Sequence, residues 1–114
     1  MKLESIPEII VDKEGNFKFV QLKCNSRHIL YGNSRKHLHR DLYHLFLIDF
    51  VEDSEARKEI IPCGGGRINI DKEKRILEAY GYSDSYGRFN DLVVRDILNR
   101  FIEENMRGFS LEIS

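Results

Sequence analysis

The fold of this chain is decided by residues 59–70, which read Glu-Ile-Ile-Pro-Cys-Gly-Gly-Gly-Arg-Ile-Asn-Ile. Apolar residues on both sides of the glycines predict a short strand over 59–63, which stops at the glycines, and another over 67–70. Residues 71–74 read as a turn and predict a hairpin with a further strand over 75–80. Because glycine has no Cβ, the loop expected at the glycines would expose its backbone N–H groups to a compact anion.

The chain before this stretch predicts two strands and a helix. Residues 17–23 alternate between apolar and polar, the period of a half-buried strand, and residues 28–31 can pair with them. A helix is expected after Gly32, with Asn33 or Ser34 as its N-cap. The residues at helical spacing are Leu38, Leu42, Leu45 and Asp49, and Phe46 and Phe50 widen the apolar stripe.

The chain after this stretch predicts a second helix and a closing strand. The helix is expected to begin near Asn90 and to end at Gly108 as its C-cap, and residues 109–113 to form the strand. Its apolar face consists of Val94, Ile97, Leu98 and Phe101. The element order ββαβββαβ predicts one α/β domain over residues 1–114, with a single mixed sheet of about six strands packed with two main helices.

Composition excludes several classes of protein. Hydrophobic residues make up 41% and charged residues 32%, which is the balance of a folded globular domain rather than of a disordered chain. A net charge of −1 argues against a general nucleic-acid binder, which needs a basic surface. Since no apolar run approaches the roughly 20 residues of a membrane span, no membrane association is expected. The first residues are charged, the two cysteines are far apart, and we expect a cytoplasmic protein with reduced thiols.

Basic residues gather where the first helix is expected to begin. The positive end of a helix dipole lies at its N-terminus, so cations there lose about 0.3–1 kcal/mol each rather than stabilising the helix. A bound anion such as phosphate would remove this mismatch and accept backbone N–H bonds as well. The alternative is that these side chains simply extend into water. The residues concerned are Arg35, Lys36, His37, His39 and Arg40.

Six segments in order resemble the janus/protein phosphohistidine phosphatase family over nearly the whole chain. One such match would be weak, but the same order and similar spacing make the set specific. The segments are Ile6-Pro7, Gly15-x-Phe17-Lys18-Phe19-Val20, Gly32, His39-x-Asp41-Leu42-Tyr43, Gly64-Gly65-Gly66-Arg67-Ile68 and Gly81-Tyr82-Ser83-x-x-Tyr86-Gly87.

The resemblance implies a metal-independent phosphatase that needs no cofactor and cleaves the P–N bond of phosphohistidine in proteins, with phospholysine as a second candidate substrate. His39 falls on the family's essential histidine. The resemblance also implies that Lys18, the backbone N–H of Arg40, Arg67 and Ser83 bind the substrate phosphate. The expected partners are phosphohistidine-containing proteins, and the chain is expected to be a monomer.

Two questions stay open from the residues. An imidazole is partly neutral at cellular pH, so His39 can act as a general base on water or attack phosphorus directly. In addition, Tyr31 stands where relatives commonly carry an arginine, and Arg35 or Lys36 are the candidates to replace that charge. A chain lacking this cation could bind phosphate without efficient turnover, so a non-enzymatic phosphate-binding or regulatory role is the alternative function.

Overall fold

The computed structural model describes residues 3–114, and within them six strands form one mixed sheet in the order β1-β3-β2-β4-β5-β6. The two outer pairs, β1 with β3 and β5 with β6, are parallel, and the three inner pairs are antiparallel. The strands are β1 (Ile9–Val11), β2 (Gly15–Cys24), β3 (Arg27–Gly32), β4 (Ile60–Asp71), β5 (Ile76–Tyr80) and β6 (Ser110–Ile113). The predicted α/β fold with a six-stranded mixed sheet is confirmed.

Two long helices cover the opposite faces of this sheet. They are α1 (His39–Phe50) and α3 (Asp91–Asn105), with a short α2 (Ser54–Arg57) after α1 and a 3-10 turn over Leu3–Ser5. Since alternate residues of a strand point to opposite faces, each central strand serves two cores. Among the described residues, no helix combines the length and the apolar composition that crossing a membrane requires.

The two cores contain different aromatic pairs. On the α3 face, Phe19 of β2 packs against Phe89 with ring centroids 5.3 Å apart. On the α1 face, Tyr31 of β3 meets Phe46 and Phe50 edge-on, at 5.3 and 6.1 Å. Fully burying one such side chain stabilises the fold by about 1.5–3 kcal/mol. The sheet is therefore held from both sides, which fixes the central strands β2 and β4.

The three glycines lie inside a strand, so the predicted glycine loop is wrong. Strand β4 continues through them, and Gly64, Gly65 and Gly66 pair with Gln21, Val20 and Phe19 of β2. All three glycines are buried. A Cβ on them would lie 2.7, 2.8 and 2.5 Å, respectively, from a backbone carbonyl oxygen. The glycines are needed because other backbone and side chains approach the strand closely, and the segments 59–63 and 67–70 belong to one strand.

Helix α1 begins at His39, later than the sequence predicts. Its N-cap residue is Leu38, whose side chain is 45% exposed and makes no capping bond. The two expected cap residues make local bonds instead: Asn33 Oδ1 accepts from the amide two residues later, and the Ser34 amide donates to Asp12 Oδ2. Such side-chain bonds favour a turn over a helix. Residues 33–38 therefore form an irregular segment leading into α1.

The second half of the chain follows the prediction more closely. Asn90 is the N-cap of α3, as predicted, and its Oδ1 accepts from the amide of Val93. The helix ends at Asn105 with Met106 as its C-cap, so the predicted C-cap at Gly108 is two residues too late. The closing strand is confirmed as β6. The short elements β1 and α2 are absent from the prediction, because three or four residues carry too little periodicity to reveal them.

Candidate active site

The imidazole of His39 lies directly on the triple-glycine segment of β4. His39 is the first residue of α1 and is 6% exposed. Its Nε2 is 3.0 Å from the carbonyl oxygen of Gly66. A Cβ on Gly65 would lie 2.7 Å from His39 Cδ2, a separation that packed atoms do not tolerate. The absence of a side chain at Gly65 therefore provides the space that the ring occupies.

The hydrogen bond to Gly66 selects one tautomer of the imidazole. A carbonyl oxygen can only accept, so Nε2 carries the hydrogen of the neutral ring and Nδ1 keeps a lone pair. Burial lowers the pKa of His39 from its ordinary 6.5; the Gly66 bond and the Asp84 charge oppose this, and the charges of Lys18 and Arg67 add to it. With a lowered pKa the ring is neutral at pH 7. Nδ1 can then accept a proton or act as a nucleophile.

Lys18 and Arg67 are brought together by the pairing of β2 with β4. They are direct cross-strand partners, one step along the same face from the pair of Val20 and Gly65 under the imidazole. Two residues of strand span about 7 Å, which sets the separation of the two pairs along the strands. Within residues 3–114, neither cation forms an ion pair with a carboxylate. The strand register and the effect of both charges on the pKa of His39 place Lys18 and Arg67 near the imidazole, and their contact with phosphate stays a prediction.

Asn16 orients Arg67, and the sequence interpretation missed it. The Nε of Arg67 donates to Asn16 Oδ1 at 3.0 Å, and Asn16 Nδ2 donates to the Tyr80 hydroxyl at 2.7 Å. Within the described part of the chain, no group accepts a hydrogen bond from the two terminal nitrogens of the Arg67 guanidinium. They remain available to an anion in a fork geometry suited to phosphate. Asn16 precedes Lys18 by two residues in β2, so strand alternation alone could have identified it.

Ser83 lies in a turn that is hydrogen-bonded to Gly65 of β4. The carbonyl of Gly87 accepts from the amides of Gly65 (3.1 Å) and Ser83 (3.0 Å), and the Gly87 amide returns a bond to Ser83 O. The Ser83 side chain is 1% exposed, and its Oγ accepts from the Tyr86 amide at 3.0 Å. The structure thus brings the Ser83 turn to Gly65, beneath the imidazole. The hydroxyl helps to close the turn, and its contact with phosphate stays a prediction.

Side-chain contacts hold this turn against the rest of the fold. Tyr86 packs edge-on against Tyr43 of α1, with ring centroids 6.3 Å apart. Arg88 donates to the carbonyl of Gly81 at 2.9 Å and forms a two-bond pair with Asp91. Because both ends of the turn are fixed, Asp84 stays close enough to raise the pKa of His39 against the effect of burial.

The N-terminus of α1 leaves two backbone donors open beside the imidazole. The first bonds to the carbonyl of Leu38 come from the amides of Asp41 and Leu42, both at 3.1 Å. The amides of His39 and Arg40 precede them, and within residues 3–114 neither has an acceptor. The side chain of Arg40 is exposed, and its amide is one of the N-terminal donors of α1 that have no partner within the helix. Open amides at the positive end of a helix are suited to an anion.

A basic cavity of about 350 Å³ lies next to these groups. Its lining contains three cations and no carboxylate, so its potential is positive. The residues that line it are Asn16, Phe17, Lys18, Asn33, Ser34, Lys36, His37 and Arg67. Within residues 3–114, no group of three or more His, Cys, Asp and Glu side chains is arranged to hold a metal ion. The cations in the lining are Lys18, Lys36 and Arg67.

The two candidates to replace the missing arginine differ in position. Tyr31 is buried beneath α1 against Phe46, so the hydrophobic core occupies this position. Arg35 forms an ion pair with Asp49 at 3.5 Å and does not line the cavity. Lys36 does line it, together with Lys18 and Arg67. Of the two candidates, only Lys36 contributes its charge to the cavity.

Comparison with known proteins relates this arrangement to one family. The model of the Janus/Ocnus family matches residues 3–105. The 14 kDa phosphohistidine phosphatase of Sus scrofa is 32% identical over 100 residues, which cover 75% of both chains. The human protein of the same name is 29% identical over 99 residues, covering 75% of this chain and 74% of the relative. The sex-regulated protein janus-A of Drosophila melanogaster is 29% identical over 105 residues, covering 84% and 73%.

The family match includes every residue of the candidate site. Lys18 and Ser83, the first and last of the predicted site residues, both lie within the matched range, as do His39 and Arg67. A match over residues 3–105 extends from the first described residue to the end of α3. The chain belongs to the Janus/Ocnus family.

Proposed function

We propose that this protein is a protein phosphohistidine phosphatase that hydrolyses the P–N bond of phosphohistidine. The observation that carries the proposal is the buried imidazole of His39, whose Nε2 lies 3.0 Å from the Gly66 carbonyl oxygen and whose pKa is affected by the nearby charges of Lys18 and Arg67. The similarity to relatives named phosphohistidine phosphatase supports the same reaction class. The substrates are phosphohistidine-containing proteins, and no cofactor takes part.

The phosphoryl group binds between the sheet and the entrance of α1. The amides of His39 and Arg40 donate to its oxygens, and the helix dipole favours its negative charge. Lys18 and Arg67 bind the remaining oxygens, since hydrogen bonds between ionised partners are about twice as strong as neutral ones. These fixed charges neutralise the transferring phosphoryl group without a metal ion, and they need no reorganisation during the reaction.

In the preferred mechanism His39 acts as a general base. Water attacks phosphorus, its oxygen forms the new P–O bond, and its proton moves to His39 Nδ1 as the P–N bond breaks. The substrate imidazole leaves after its nitrogen takes up a proton, which Nδ1 can return. In the alternative mechanism Nδ1 attacks phosphorus directly, and water then cleaves the transient phospho-His39. Quenching a turnover mixture at alkaline pH and locating the phosphoryl label by mass spectrometry separates the two, because only direct attack leaves label on His39.

Phosphate release from a phosphohistidine peptide tests the proposed function. We expect His39→Ala to lose at least about 100-fold in kcat/KM, since a positioned acid–base group contributes 10²–10⁴-fold. His44→Ala is the matched control, because His44 lies on the same helix but is exposed, whereas His39 is buried and bonded to Gly66. Turnover should persist in excess chelator. ³¹P NMR at neutral pH follows the reaction without acid treatment of the labile bond.

Two results would contradict this assignment. Undiminished turnover by His39→Ala, with His44→Ala also active, removes His39 from the reaction. A wild-type protein that binds inorganic phosphate but releases none from the peptide supports the non-enzymatic alternative. The relatives named sex-regulated protein janus-A make that alternative worth measuring, because their name states no catalytic activity.

A further inference from the structure

The basic cavity extends beyond the groups that the proposed reaction uses. The imidazole lies over the cross-strand pair of Val20 and Gly65. On the same face of the sheet, the next pair along β2 and β4 is Lys18 with Arg67, and the one after that is Asn16 with Asn69. Each step is about 7 Å, so the Asn16 end lies about 14 Å along the strands from the position under His39. Both Arg67 and Asn16 line the cavity. His39 itself does not line the cavity, but Lys18 and Arg67 lie between the two. A phosphoryl group held at His39 therefore meets the cavity only at Lys18 and Arg67 and leaves the rest of it open.

The opposite wall of the cavity is the irregular segment before α1, and it brings a third cation. Lys36 lines the cavity and, within residues 3–114, has no carboxylate partner. Its neighbour Arg35 is paired with Asp49 and points its charge elsewhere. Lys36 is thus an uncompensated cation facing the space that Lys18 and Arg67 border from the sheet.

Charge and volume both exceed what one phosphoryl group needs. A phosphoryl group carries about −1.5 to −2 charges near neutral pH. Lys18, Lys36 and Arg67 supply three positive charges, and the described lining supplies no negative charge to offset them. The cavity holds the volume of roughly ten water molecules, at about 30 Å³ each, whereas a phosphoryl group replaces only a few. The three cations repel one another, so binding of a second anionic group between them is electrostatically favourable.

We propose that Lys36 forms a subsite for a carboxylate side chain next to the phosphohistidine, so that the substrates are phosphohistidine segments with acidic neighbours. This inference rests on the proposed function. An extended peptide advances about 3.4 Å per residue, so a side chain two residues away lies about 7 Å from the phosphohistidine. That is the distance from the position under His39 to Lys18 and Arg67, which border the cavity together with Lys36. The Nδ2 of Asn16 is bound to Tyr80, so the charge that recognises the carboxylate is that of Lys36.

Two phosphohistidine peptides that differ only in their flanking residues, Glu in one and Gln in the other, test this subsite. We expect wild type to show a KM about threefold lower for the Glu peptide, since Lys36 is exposed and an ion pair at an exposed site changes affinity only a few-fold. Lys36→Gln should raise the KM of the Glu peptide to that of the Gln peptide. Arg35→Gln is the matched control, because it removes the same charge from the same segment but outside the cavity, and it should keep the preference.

The outcomes separate the subsite from the reaction. Turnover of both peptides with equal KM overturns the acidic subsite and leaves the phosphatase intact. A preference for the Glu peptide that survives in Lys36→Gln, or disappears equally in Arg35→Gln, overturns the assignment to Lys36. Turnover of neither peptide overturns the proposed function, and the subsite with it. Raising the salt concentration should reduce the wild-type preference and leave that of the Lys36→Gln variant unchanged.

Discussion

The two long helices lie on opposite faces of one sheet, and their N-termini are built in opposite ways. At the start of α3, Asn90 caps the helix by accepting the Val93 amide, and the carboxylate of Asp91 lies in the first turn. Arg88 donates to both oxygens of that carboxylate. Every local rule of helix capping is met within the chain, so α3 begins without help from a ligand.

The start of α1 lacks these features. Leu38 makes no side-chain cap, and the described residues provide no acceptor for the amides of His39 and Arg40. Lys36 precedes the helix by three residues. A bound anion would supply what Asn90 and Asp91 supply at α3. The comparison teaches that a helix N-terminus whose amides lack acceptors can indicate a binding site as clearly as a sequence motif. Amides without acceptors lower the stability of the free protein, and a bound anion raises that stability again.

The largest expected difference between the two entrances appears on acidification. The pKa of His39 is lowered below 6.5, mainly by burial, so the neutral imidazole persists below that pH and is lost only as the pH falls through the lowered value. We expect kcat/KM to be flat near pH 7–8 and to fall about tenfold per pH unit below the lowered pKa. The rate of phosphate release across this range measures it, after correction for uncatalysed hydrolysis.

The same titration should leave the entrance of α3 unchanged. The hydrogen bonds from Arg88 lower the pKa of Asp91 from its usual 3.8, so its carboxylate keeps its charge to a lower pH than an unpaired aspartate would. Circular dichroism should therefore stay constant while activity falls. The ³¹P chemical shift of the phosphohistidine peptide, measured over the same pH range, shows where the substrate itself titrates. Any change in kcat/KM at that pH can then be assigned to the substrate rather than to His39. An activity limb centred above pH 6.5 would contradict the neutral, buried imidazole.

The second prediction is a loss of stability at the capped entrance alone. Asn90→Ala removes the acceptor of the Val93 amide, and we expect the free energy of unfolding to fall by about 1 kcal/mol, which lowers Tm by about 4 °C. Thermal unfolding measures it, with Asn99→Ala as the control: this exposed site lies inside α3, where alanine is the better helix former, so Tm should not fall. Turnover per folded molecule should not change. A drop in kcat equal to that of a site variant would show that the two entrances are coupled.

The same contrast explains which elements the sequence could predict. Asn90 followed by an amphipathic run is a local signal, and α3 begins where it indicates. Asn33 and Ser34 look like the same signal, but their polar groups are used in local bonds before the helix begins at His39. Residue type alone cannot tell which of two polar residues will cap a helix, because the outcome depends on contacts such as that of Ser34 with Asp12.

The candidate site was predictable in its residues but not in its geometry. The family resemblance identified His39, Lys18 and Arg67, and the structure places all three around one position. The glycines were misread as a loop, because the need for glycine arises from His39 and distant backbone pressing on β4, which no local pattern records. The roles of Asn16 and Lys36 likewise depend on strand register and on the path of the segment before α1.

The smallest and most direct test converts the open entrance into a capped one. Leu38 has extended backbone angles and a half-exposed side chain, so it can be replaced by a capping residue without strain. In Leu38→Asp the new carboxylate can accept from the amide of Arg40, because the amide of Asp41 already donates to the carbonyl of residue 38. We expect the free energy of unfolding to rise by about 0.5–1 kcal/mol, measured by denaturant titration, because the helix gains a cap.

The gain in stability should come at the expense of phosphate binding, since the cap uses a donor that the phosphoryl group needs. KM for the phosphohistidine peptide should rise several-fold in Leu38→Asp and less in Leu38→Ser, which caps without a full charge. Leu38→Ala, which removes the side chain and adds no acceptor, should change neither. If Leu38→Asp becomes more stable while its KM stays at the wild-type value, the amide of Arg40 does not bind the phosphoryl group. The lack of acceptors for the first amides of α1 would then need an explanation other than anion binding.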